Sequence, residues 1–172
     1  MEVARPFLIT LNEQTGCSVH LGVLDDRDVV YLLRIAGRQH LASNVGVGTR
    51  FPAHATTMGR ILLSELSLQE LEQMYQGMVL EQVTEQTVTS IEELHQLLYK
   101  ERERGYTLSL SAFEAGVVSV GAAVRDSSGE IVAAINITGM ETLFDREALE
   151  GEIKDRVLQA AEAISNRMGY RG

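Results

Sequence analysis

Apolar and polar residues alternate along the stretch 18–24, and this two-residue period predicts a β-strand. Its odd positions are valine or leucine, whereas the even positions before residue 24 are serine, histidine and glycine. A second β-rich stretch, 29–35, follows the polar turn 25–28, whose aspartates favour a hairpin. The pattern therefore predicts a first hairpin whose first strand is buried on one face only.

Three further β-rich stretches lie in the second half of the chain. They cover residues 106–110, 117–125 and 131–138. The last two stretches flank Asp126-Ser127-Ser128-Gly129, which is a strong turn sequence. We therefore expect these two stretches to pair as consecutive antiparallel strands.

Apolar residues spaced three and four apart predict helices between these strands. The predicted helices cover residues 5–14, a stretch from 56 or 57 through 66, 68–75, 91–104 and 146–168. Two of them begin at a capping sequence, a serine followed three residues later by glutamate, at Ser67 and at Ser90. The closing helix is predicted as continuous, with an apolar face that ends at Met168. Helices interspersed with hairpins predict an α+β fold in which helices pack on an antiparallel sheet.

The last hairpin is the most informative part of the chain. If its turn centres between Ser127 and Ser128, Ser119 pairs with Asn136, and directly opposed residues point to the same side of a sheet. One side then carries small and polar residues, namely Ser119, Gly121, Ala123, Ala134, Asn136 and Thr138. The reverse side carries aliphatic residues, namely Val118, Val120, Val124, Ile131, Ala133, Ile135 and Ile137.

Two interpretations of the small polar side are open. It is either simply solvated or covered closely by a helix, or it is the floor of a pocket on which short hydroxyl and amide groups converge. A solvated face usually carries lysine, glutamate and arginine, but none of these occurs in 117–124 or 131–138. This absence favours the pocket.

The segment His54-Ala55-Thr56-Thr57-Met58-Gly59-Arg60 also has two interpretations. A threonine at a helix start caps the first turn, which on its own is a common structural feature. The free backbone N–H groups of such a turn also attract an anion. The segment becomes informative when it is combined with the small polar face of the last hairpin.

Composition and charge exclude several classes of function. The chain of 172 residues predicts a single domain, residues 1–172, and its net charge of −9, with no basic run, argues against DNA binding by the chain itself. Cys17 is the only cysteine, so an internal disulfide is impossible and a reducing cytoplasm is expected. No apolar run is long enough to span a membrane, and the start has no signal-peptide pattern. Cys17 and His20 fall on opposite faces of a strand, so we expect no metal site from them.

Four segments together resemble the effector-binding domain of the IclR family of transcriptional regulators. They are Phe51-Pro52-Ala53-His54-Ala55-Thr56-Thr57-Met58-Gly59-Arg60, Glu103-Arg104-Gly105-Tyr106, Ala122-Ala123-Val124-Arg125-Asp126, and Ala133-Ala134-Ile135-Asn136-Ile137-Thr138-Gly139. Their order and spacing agree with the family, and the resemblance covers about residues 17–168.

The resemblance implies a GAF-like fold, with a curved antiparallel sheet and helices packed on its faces. It implies a pocket above the sheet for a small organic acid, with no cofactor and no metal. The implied ligand-binding groups are the backbone N–H groups of Thr57 and Met58 and the side chains of Ser109, Ser119, Asn136 and Thr138. The last three residues lie on the small polar face that strand alternation predicts, so the two arguments agree.

The resemblance also carries expectations about the whole regulator. Family members carry a winged helix-turn-helix before this domain; it is absent from this chain, and DNA would be bound only through it. Homodimers or homotetramers are expected. Many relatives have an acidic residue soon after Arg-Gly-Tyr, whereas this chain has Thr107-Leu108-Ser109-Leu110-Ser111, which should alter the ligand accepted. The Met58-Gly59-Arg60 form resembles the branch that governs the breakdown of aromatic acids and their ring-opened products.

Two other functions are alternatives to the sensor. A small hydrolase would use Ser119 and His54, but the sequence identifies no acidic residue that would orient the histidine. It also contains no phosphate loop and no nucleophile elbow. We therefore expect that the chain is not an enzyme. A dimerisation module with a vestigial pocket is the other alternative. His54 is expected to satisfy backbone groups, and Phe113 and Glu114 to lie on a loop over the pocket.

Overall fold

The structure, a computed structural model, describes residues 2–38 and 45–172. Its elements, in chain order, are α1 (Arg5–Thr15), β1 (Ser18–Asp25), β2 (Asp28–Ile35), β3 (Arg50–Pro52), α2 (Thr57–Leu63), α3 (Leu68–Met74), α4 (Ile91–Arg104), β4 (Thr107–Leu110), β5 (Val117–Arg125), β6 (Ile131–Met140), a 3₁₀ turn (Glu141–Leu143), α5 (Arg146–Ala148), a π turn (Leu149–Ile153) and α6 (Lys154–Arg167). None of the helices in these two ranges is long and apolar enough to cross a membrane.

The six strands form one antiparallel sheet in the order β3-β2-β1-β6-β5-β4. The α+β class and the two hairpins are confirmed, and β3 is an additional short edge strand. The central pairing joins β1 to β6, which lie more than a hundred residues apart in the chain. This non-local pairing brings the start and the end of the domain together.

Helices cover both faces of the sheet. On one face α1 and α6 pack against β1, β2, β5 and β6 over an aliphatic core. On the other face α2 packs against β1, β5 and β6, and α4 and α3 lie outside α2. Because α2 has only seven residues, it covers this second face in part, and the remainder of that face is open to a cavity.

The register of the last hairpin differs from the predicted one by two residues, because Ser119 lies opposite Thr138 rather than Asn136. The turn does centre between Ser127 and Ser128, with the N–H of Gly129 donating to the Asp126 carbonyl. Gly129, at φ +87°, then adds one residue to the second strand. A second irregularity follows at Val124.

Side chains alternate with a period of two, so one extra residue moves the following side chains to the other face of the sheet. A second extra residue returns them to the face on which they started. The polar residues therefore share one face as predicted, although their partners change. Between the two irregularities the alternation is reversed. Ile131, expected on the aliphatic side, instead packs against the apolar cluster on the side of α2 that contains Met58 and Ile61. Its predicted position is wrong for this reason.

Two other expectations are also corrected. Strand β1 is buried on both faces rather than one, because the even positions face the cavity and α2 instead of solvent. The closing helix is not continuous, because Gly151 has the non-helical angles φ −103° and ψ −110° and divides it. Met168 lies at the end of α6 and is 43% exposed rather than buried.

Candidate functional site

A cavity lies between the polar face of the sheet, the start of α2 and the loop 111–116. Its empty volume is about 590 Å³, counting the space at its open mouth. The lining residues are Ser18, His20, Tyr31, Arg34, Val45, Phe51, Thr56, Thr57, Ser109, Phe113, Glu114, Val117, Ser119, Asn136 and Thr138.

Five of the six predicted site residues line this cavity, and the sixth does not. Thr57 comes from α2, and the other four from the sheet: Ser109, Ser119, Asn136 and Thr138. Met58 is fully buried among apolar side chains next to Gly22, so its side chain takes no part in the lining. The expectation for Met58 concerned its backbone N–H, which belongs to the first turn of α2 and has no acceptor within the helix.

Strand pairing arranges the polar side chains in two rows across the sheet. One row is made of four hydroxyl groups, from Ser18, Thr138, Ser119 and Ser109, each residue lying opposite the next on β1, β6, β5 and β4. The neighbouring row runs Arg34, His20, Asn136 and Gly121 across β2, β1, β6 and β5. Since directly opposed residues point to the same side, both rows face the cavity.

Three of these side chains form a hydrogen-bonded relay. The Ser119 hydroxyl donates to the Ile137 carbonyl at 3.0 Å and accepts from the Asn136 amide nitrogen at 2.9 Å. The Asn136 amide oxygen contacts Nδ1 of His20 at 3.0 Å. Ser119, Asn136 and His20 are all buried, so each of these hydrogen bonds satisfies polar groups that would otherwise be desolvated at a cost.

His20 is held in its neutral form. Burial lowers the pKa of the imidazole from 6.5 to about 4; the hydrogen bond to Asn136 opposes this change and the charge of Arg34 adds to it. The ring of Tyr31 packs edge-on against the imidazole, with 5.2 Å between centroids. Burial also raises the pKa of the Tyr31 phenol, so Tyr31 is likewise uncharged at neutral pH.

Aromatic rings form another part of the cavity wall. Phe51 packs edge-on against Tyr31, with the ring centroids 5.4 Å apart. The ring centroid of Phe113 lies 4.6 Å from that of Phe51. The loop that carries Phe113 is fixed from outside, because the hydroxyls of Thr84 and Thr87 donate to the Ala112 carbonyl at 3.1 and 2.7 Å. The expectation that Phe113 lies on a loop over the cavity therefore agrees with this geometry.

The Thr138 hydroxyl and the Arg34 guanidinium lie in the cavity wall without a partner among residues 2–38 and 45–172. The Thr138 hydroxyl is inaccessible to solvent and makes no hydrogen bond within the described ranges. Arg34 forms no ion pair with any residue that the structure describes, and it lies at the exposed end of the row containing His20. By contrast Arg60, on α2, is buried and makes a bidentate ion pair with Glu101 of α4 at 3.0 Å. Arg60 therefore anchors the helix, whereas Arg34 has no ion-pair partner in the described part of the chain and can meet an anion.

The start of α2 has a well-defined geometry. The Thr56 hydroxyl accepts from the Gly59 N–H at 3.2 Å and so caps the helix. Gly59 also allows a close approach to the preceding loop, because a Cβ at this position would lie 2.2 Å from the Ala53 carbonyl oxygen. The threonine pair and the glycine in the 54–60 segment are thus explained by local packing, and the same packing places Thr57 at the cavity.

The residues proposed for a hydrolase are not brought together. His54 is buried elsewhere: its Nε2 contacts the Glu81 carbonyl oxygen at 2.9 Å and its ring packs edge-on against Tyr75. Ser119 contacts Asn136 instead of a histidine, and its proton is directed to the Ile137 carbonyl. His54 satisfies a backbone group as expected, and the geometry gives Ser119 no general base.

Metal ligation is not supported by the described part of the chain, in which no three His, Cys, Asp or Glu residues are grouped to hold an ion. Cys17 is fully buried in the aliphatic core beneath the sheet, and burial raises the pKa of its thiol. His20 lies on the opposite side, so the strand argument that separated these two residues agrees with the structure.

Sequence reasoning missed the part of the cavity contributed by the first hairpin. Ser18, His20, Tyr31 and Arg34 line it alongside the predicted residues. The alternation in 18–24 places Ser18 and His20 on one face. Nothing in that pattern shows that this face meets the small polar face of β6.

Comparison with known proteins identifies relatives along the whole chain. The family described as bacterial transcriptional regulator IclR C-terminal matches residues 1–166. The HTH-type transcriptional regulator XynR of Escherichia coli (strain K12) is 32% identical over 167 residues, which are 97% of this chain and 66% of XynR. KdgR of the same organism is 32% identical over 160 residues, which are 93% of this chain and 60% of KdgR. These relatives are transcriptional regulators and not enzymes, as predicted.

Solved structures show the same fold. The C-terminal domain of E. coli KdgR superimposes with a TM-score of 0.87 at 30% identity, covering 98% of each chain. The inducer binding domain of the PobR transcription factor from Acinetobacter, a double mutant in complex with 3-hydroxybenzoic acid, superimposes with a TM-score of 0.87 at 27% identity. That comparison covers 96% of this chain and 97% of the PobR domain.

Proposed function

The chain belongs to the IclR family of bacterial transcriptional regulators, as the C-terminal effector-binding domain, and we propose that it senses a small organic acid in the cavity above the sheet. The observation that carries this proposal is the pair of unpartnered polar groups in one cavity wall, the buried Thr138 hydroxyl and the Arg34 guanidinium. A buried hydroxyl without a partner costs free energy in the empty protein, and that cost is removed when the Thr138 side chain rotates to hydrogen-bond with a ligand in the cavity.

The proposed ligand lies with its carboxylate towards Arg34 and the start of α2. An arginine and a first helical turn both favour an anion, and the amides of Thr57 and Met58 belong to that turn. Ser109, Ser119, Asn136 and Thr138 then recognise its other polar atoms. Glu114 lies in the same wall and disfavours a second negative group near it.

The cavity wall favours an aromatic acid over an aliphatic acid. The rings of Tyr31, Phe51 and Phe113 form a continuous apolar surface, and such a surface packs against a flat ligand. The structure of the PobR domain contains a ligand of this class, 3-hydroxybenzoic acid. Hydroxybenzoates are therefore the first compounds to test.

The function proposed for the whole regulator goes beyond this chain. The chain spans 66% and 60% of the length of the two curated relatives. We propose that a winged helix-turn-helix domain outside this chain binds DNA, since the net charge of −9 disfavours DNA binding here. Effector binding then biases the arrangement of subunits in a cytoplasmic homodimer or homotetramer.

A thermal-shift screen of the purified domain tests the sensor proposal. Small organic acids, with 3- and 4-hydroxybenzoate included, are compared at equal ionic strength, and an acid that binds raises the unfolding temperature in a concentration-dependent manner. Arg34→Gln should lower the affinity for the acid at least about 10-fold, because hydrogen bonds to charged groups contribute roughly 1.5–3 kcal/mol.

Arg167→Gln is the matched control for this screen, because Arg167 is exposed on α6, away from the cavity. It should leave the response unchanged. If no acid stabilises the domain, the sensor proposal fails and the dimerisation module with a vestigial pocket becomes the better interpretation. Equal losses of affinity in Arg34→Gln and Arg167→Gln would show that Arg34 affects binding only through the net charge of the domain.

A further inference from the structure

The relay behind the cavity fixes the position of every proton in it. A carbonyl oxygen can only accept, so the single Ser119 hydroxyl proton is directed to Ile137, 3.0 Å away. Ser119 must then accept from Asn136, which turns the NH₂ group of the amide towards Ser119 at 2.9 Å. The amide oxygen of Asn136 is left facing His20, so Nδ1 of His20 carries a proton and donates it.

The other ring nitrogen of His20 is consequently a hydrogen-bond acceptor. A neutral imidazole has one N–H, and in His20 that group is Nδ1–H. Nε2 therefore carries a lone pair, and no residue in the described ranges donates to it. The ring lines the cavity. A ligand that fills the space beside the ring must donate a hydrogen bond to this lone pair or leave it unsatisfied.

The surroundings of His20 keep the ring from gaining a second proton. The imidazole is 2% exposed, and burial lowers its pKa to about 4. The groups next to it are the Asn136 amide, the Tyr31 ring and, across the strand pair, the cation Arg34. None of these three is an acidic group that would stabilise an imidazolium.

We propose that His20 is a specificity-determining residue, which selects ligands that place a hydroxyl or N–H donor next to the carboxylate-bearing part of the molecule. This inference rests on the sensor proposal and deepens it. The carboxylate lies near Arg34, and the donor lies at Nε2 of His20. A ligand carboxylate at Nε2 would set lone pair against lone pair, so an acid without a second, protonated polar group leaves His20 unsatisfied.

The tautomer is tested first, without a ligand. In the ¹⁵N-labelled domain, long-range ¹H–¹⁵N correlation spectra distinguish a protonated Nδ1 from a protonated Nε2. We expect His20 to show a protonated Nδ1 and an unprotonated Nε2 at pH 7. A protonated Nε2, or a doubly protonated ring, would overturn the inference whatever the domain binds.

Ligand preference is tested with matched acids, each compared by calorimetry with the same molecule lacking the donor. The pairs are 3-hydroxybenzoate with benzoate, 3-hydroxybenzoate with 3-methoxybenzoate, and lactate with propionate. The hydroxyl compound of any pair that binds should bind roughly 3- to 10-fold more tightly, the ratio that one neutral hydrogen bond gives. Its binding should also move the ¹⁵N resonance of Nε2.

Asn136→Asp is the variant that should change Nε2 of His20 from a hydrogen-bond acceptor into a donor. A carboxylate at 136 only accepts, so it stabilises a doubly protonated His20, whose Nε2–H then donates. The preference for the hydroxyl compound should fall to about 1 or invert in favour of 3-methoxybenzoate. Folding of the variant is verified by its unfolding temperature and by the new Nε2–H resonance.

The outcomes separate the two proposals. Acids that bind with no preference for the hydroxyl compound refute the role of His20 and leave the sensor proposal standing. If none of these acids binds and the thermal-shift screen finds no other ligand, the sensor proposal fails, and the selective role of His20 fails with it. An unchanged preference in Asn136→Asp, with His20 doubly protonated, would also count against the inference.

Discussion

The two faces of β5 and β6 are both buried but are built from opposite chemistry. On the face towards α1 and α6, Val118, Val120, Ile135 and Ile137 are fully buried and belong to the aliphatic core. On the face towards the cavity, the same strands present serine, glycine, asparagine and threonine. The first face lowers the free energy of the fold through apolar burial. The second requires a relay of hydrogen bonds to offset desolvation, and its Thr138 hydroxyl has no partner among the residues that the structure describes.

The aliphatic face therefore stabilises the fold, whereas the polar face contributes little to its stability. A fold selected for stability alone would fill the cavity side with aliphatic residues as well, because buried polar groups contribute little net free energy even when they are paired. The polar face is therefore better explained by a ligand than by folding. Substitutions on the two faces should accordingly separate stability from binding.

The largest effect is expected on the aliphatic face. Ile135→Ala removes a fully buried side chain from the core under the sheet, and such truncations cost about 2–5 kcal/mol of unfolding free energy. Urea unfolding of the variant measures this loss. The affinity of folded protein for any acid found in the screen should remain within about 2-fold. A loss below 1 kcal/mol would show that the core tolerates the change by repacking.

The next effect is the pH dependence that His20 imposes on stability. The folded pKa of about 4 lies below the unfolded value of 6.5. Above about pH 6.5 the ring is neutral in both states, and stability does not depend on its titration. As the pH falls from 6.5 to 4, the unfolded chain binds a proton that the folded chain does not, so the folded state loses roughly 3 kcal/mol.

A comparison of the wild type with His20→Gln isolates this titration, because the carboxylates of the two proteins titrate alike. Unfolding free energies at pH 7.5 and pH 4.5 are measured for both, and the wild type should lose more than the variant by about 2–3 kcal/mol. Parallel losses would mean that the imidazole already carries a proton in the folded protein or is solvated there.

A smaller effect is expected for Asn136→Leu. The substitution removes the acceptor of His20 Nδ1–H and the donor to Ser119 while it keeps an apolar side chain of similar size. One buried donor left unsatisfied costs roughly 1–3 kcal/mol, so the domain should fold with reduced stability. The stabilisation by organic acids should be lost in a thermal-shift measurement. An unchanged response would contradict the place of Asn136 in the site.

Much of the fold and part of the cavity could be predicted from the sequence. Alternation in β5 and β6 assigned Ser119, Asn136 and Thr138 to one face even though the register was wrong by two residues. The assignment survived because a two-residue shift preserves the side on which a residue points. Between the two bulges the same argument failed for Ile131, since one extra residue reverses the alternation.

The missing half of the cavity depends on long-range pairing that the sequence does not reveal. Ser18 lies opposite Thr138, and His20 opposite Asn136, across more than a hundred residues. Local patterns give the face of each strand but not its neighbour in the sheet. The break at Gly151 was also missed, because the apolar spacing continues through it and only the backbone angles show the interruption.

The smallest effect on stability should come from Thr138→Val, on the cavity face. The Thr138 hydroxyl is buried and makes no hydrogen bond within the described residues, so replacing it by a methyl group of similar size removes a cost and no contact. Urea unfolding should show a stability unchanged within about 0.5 kcal/mol, or slightly increased. Binding of the acid found in the screen should weaken roughly 3- to 10-fold, because the ligand loses one hydrogen bond. A loss of more than 1 kcal/mol without any change in affinity would show that the hydroxyl serves the fold, and the contrast between the two faces would then rest on the relay alone.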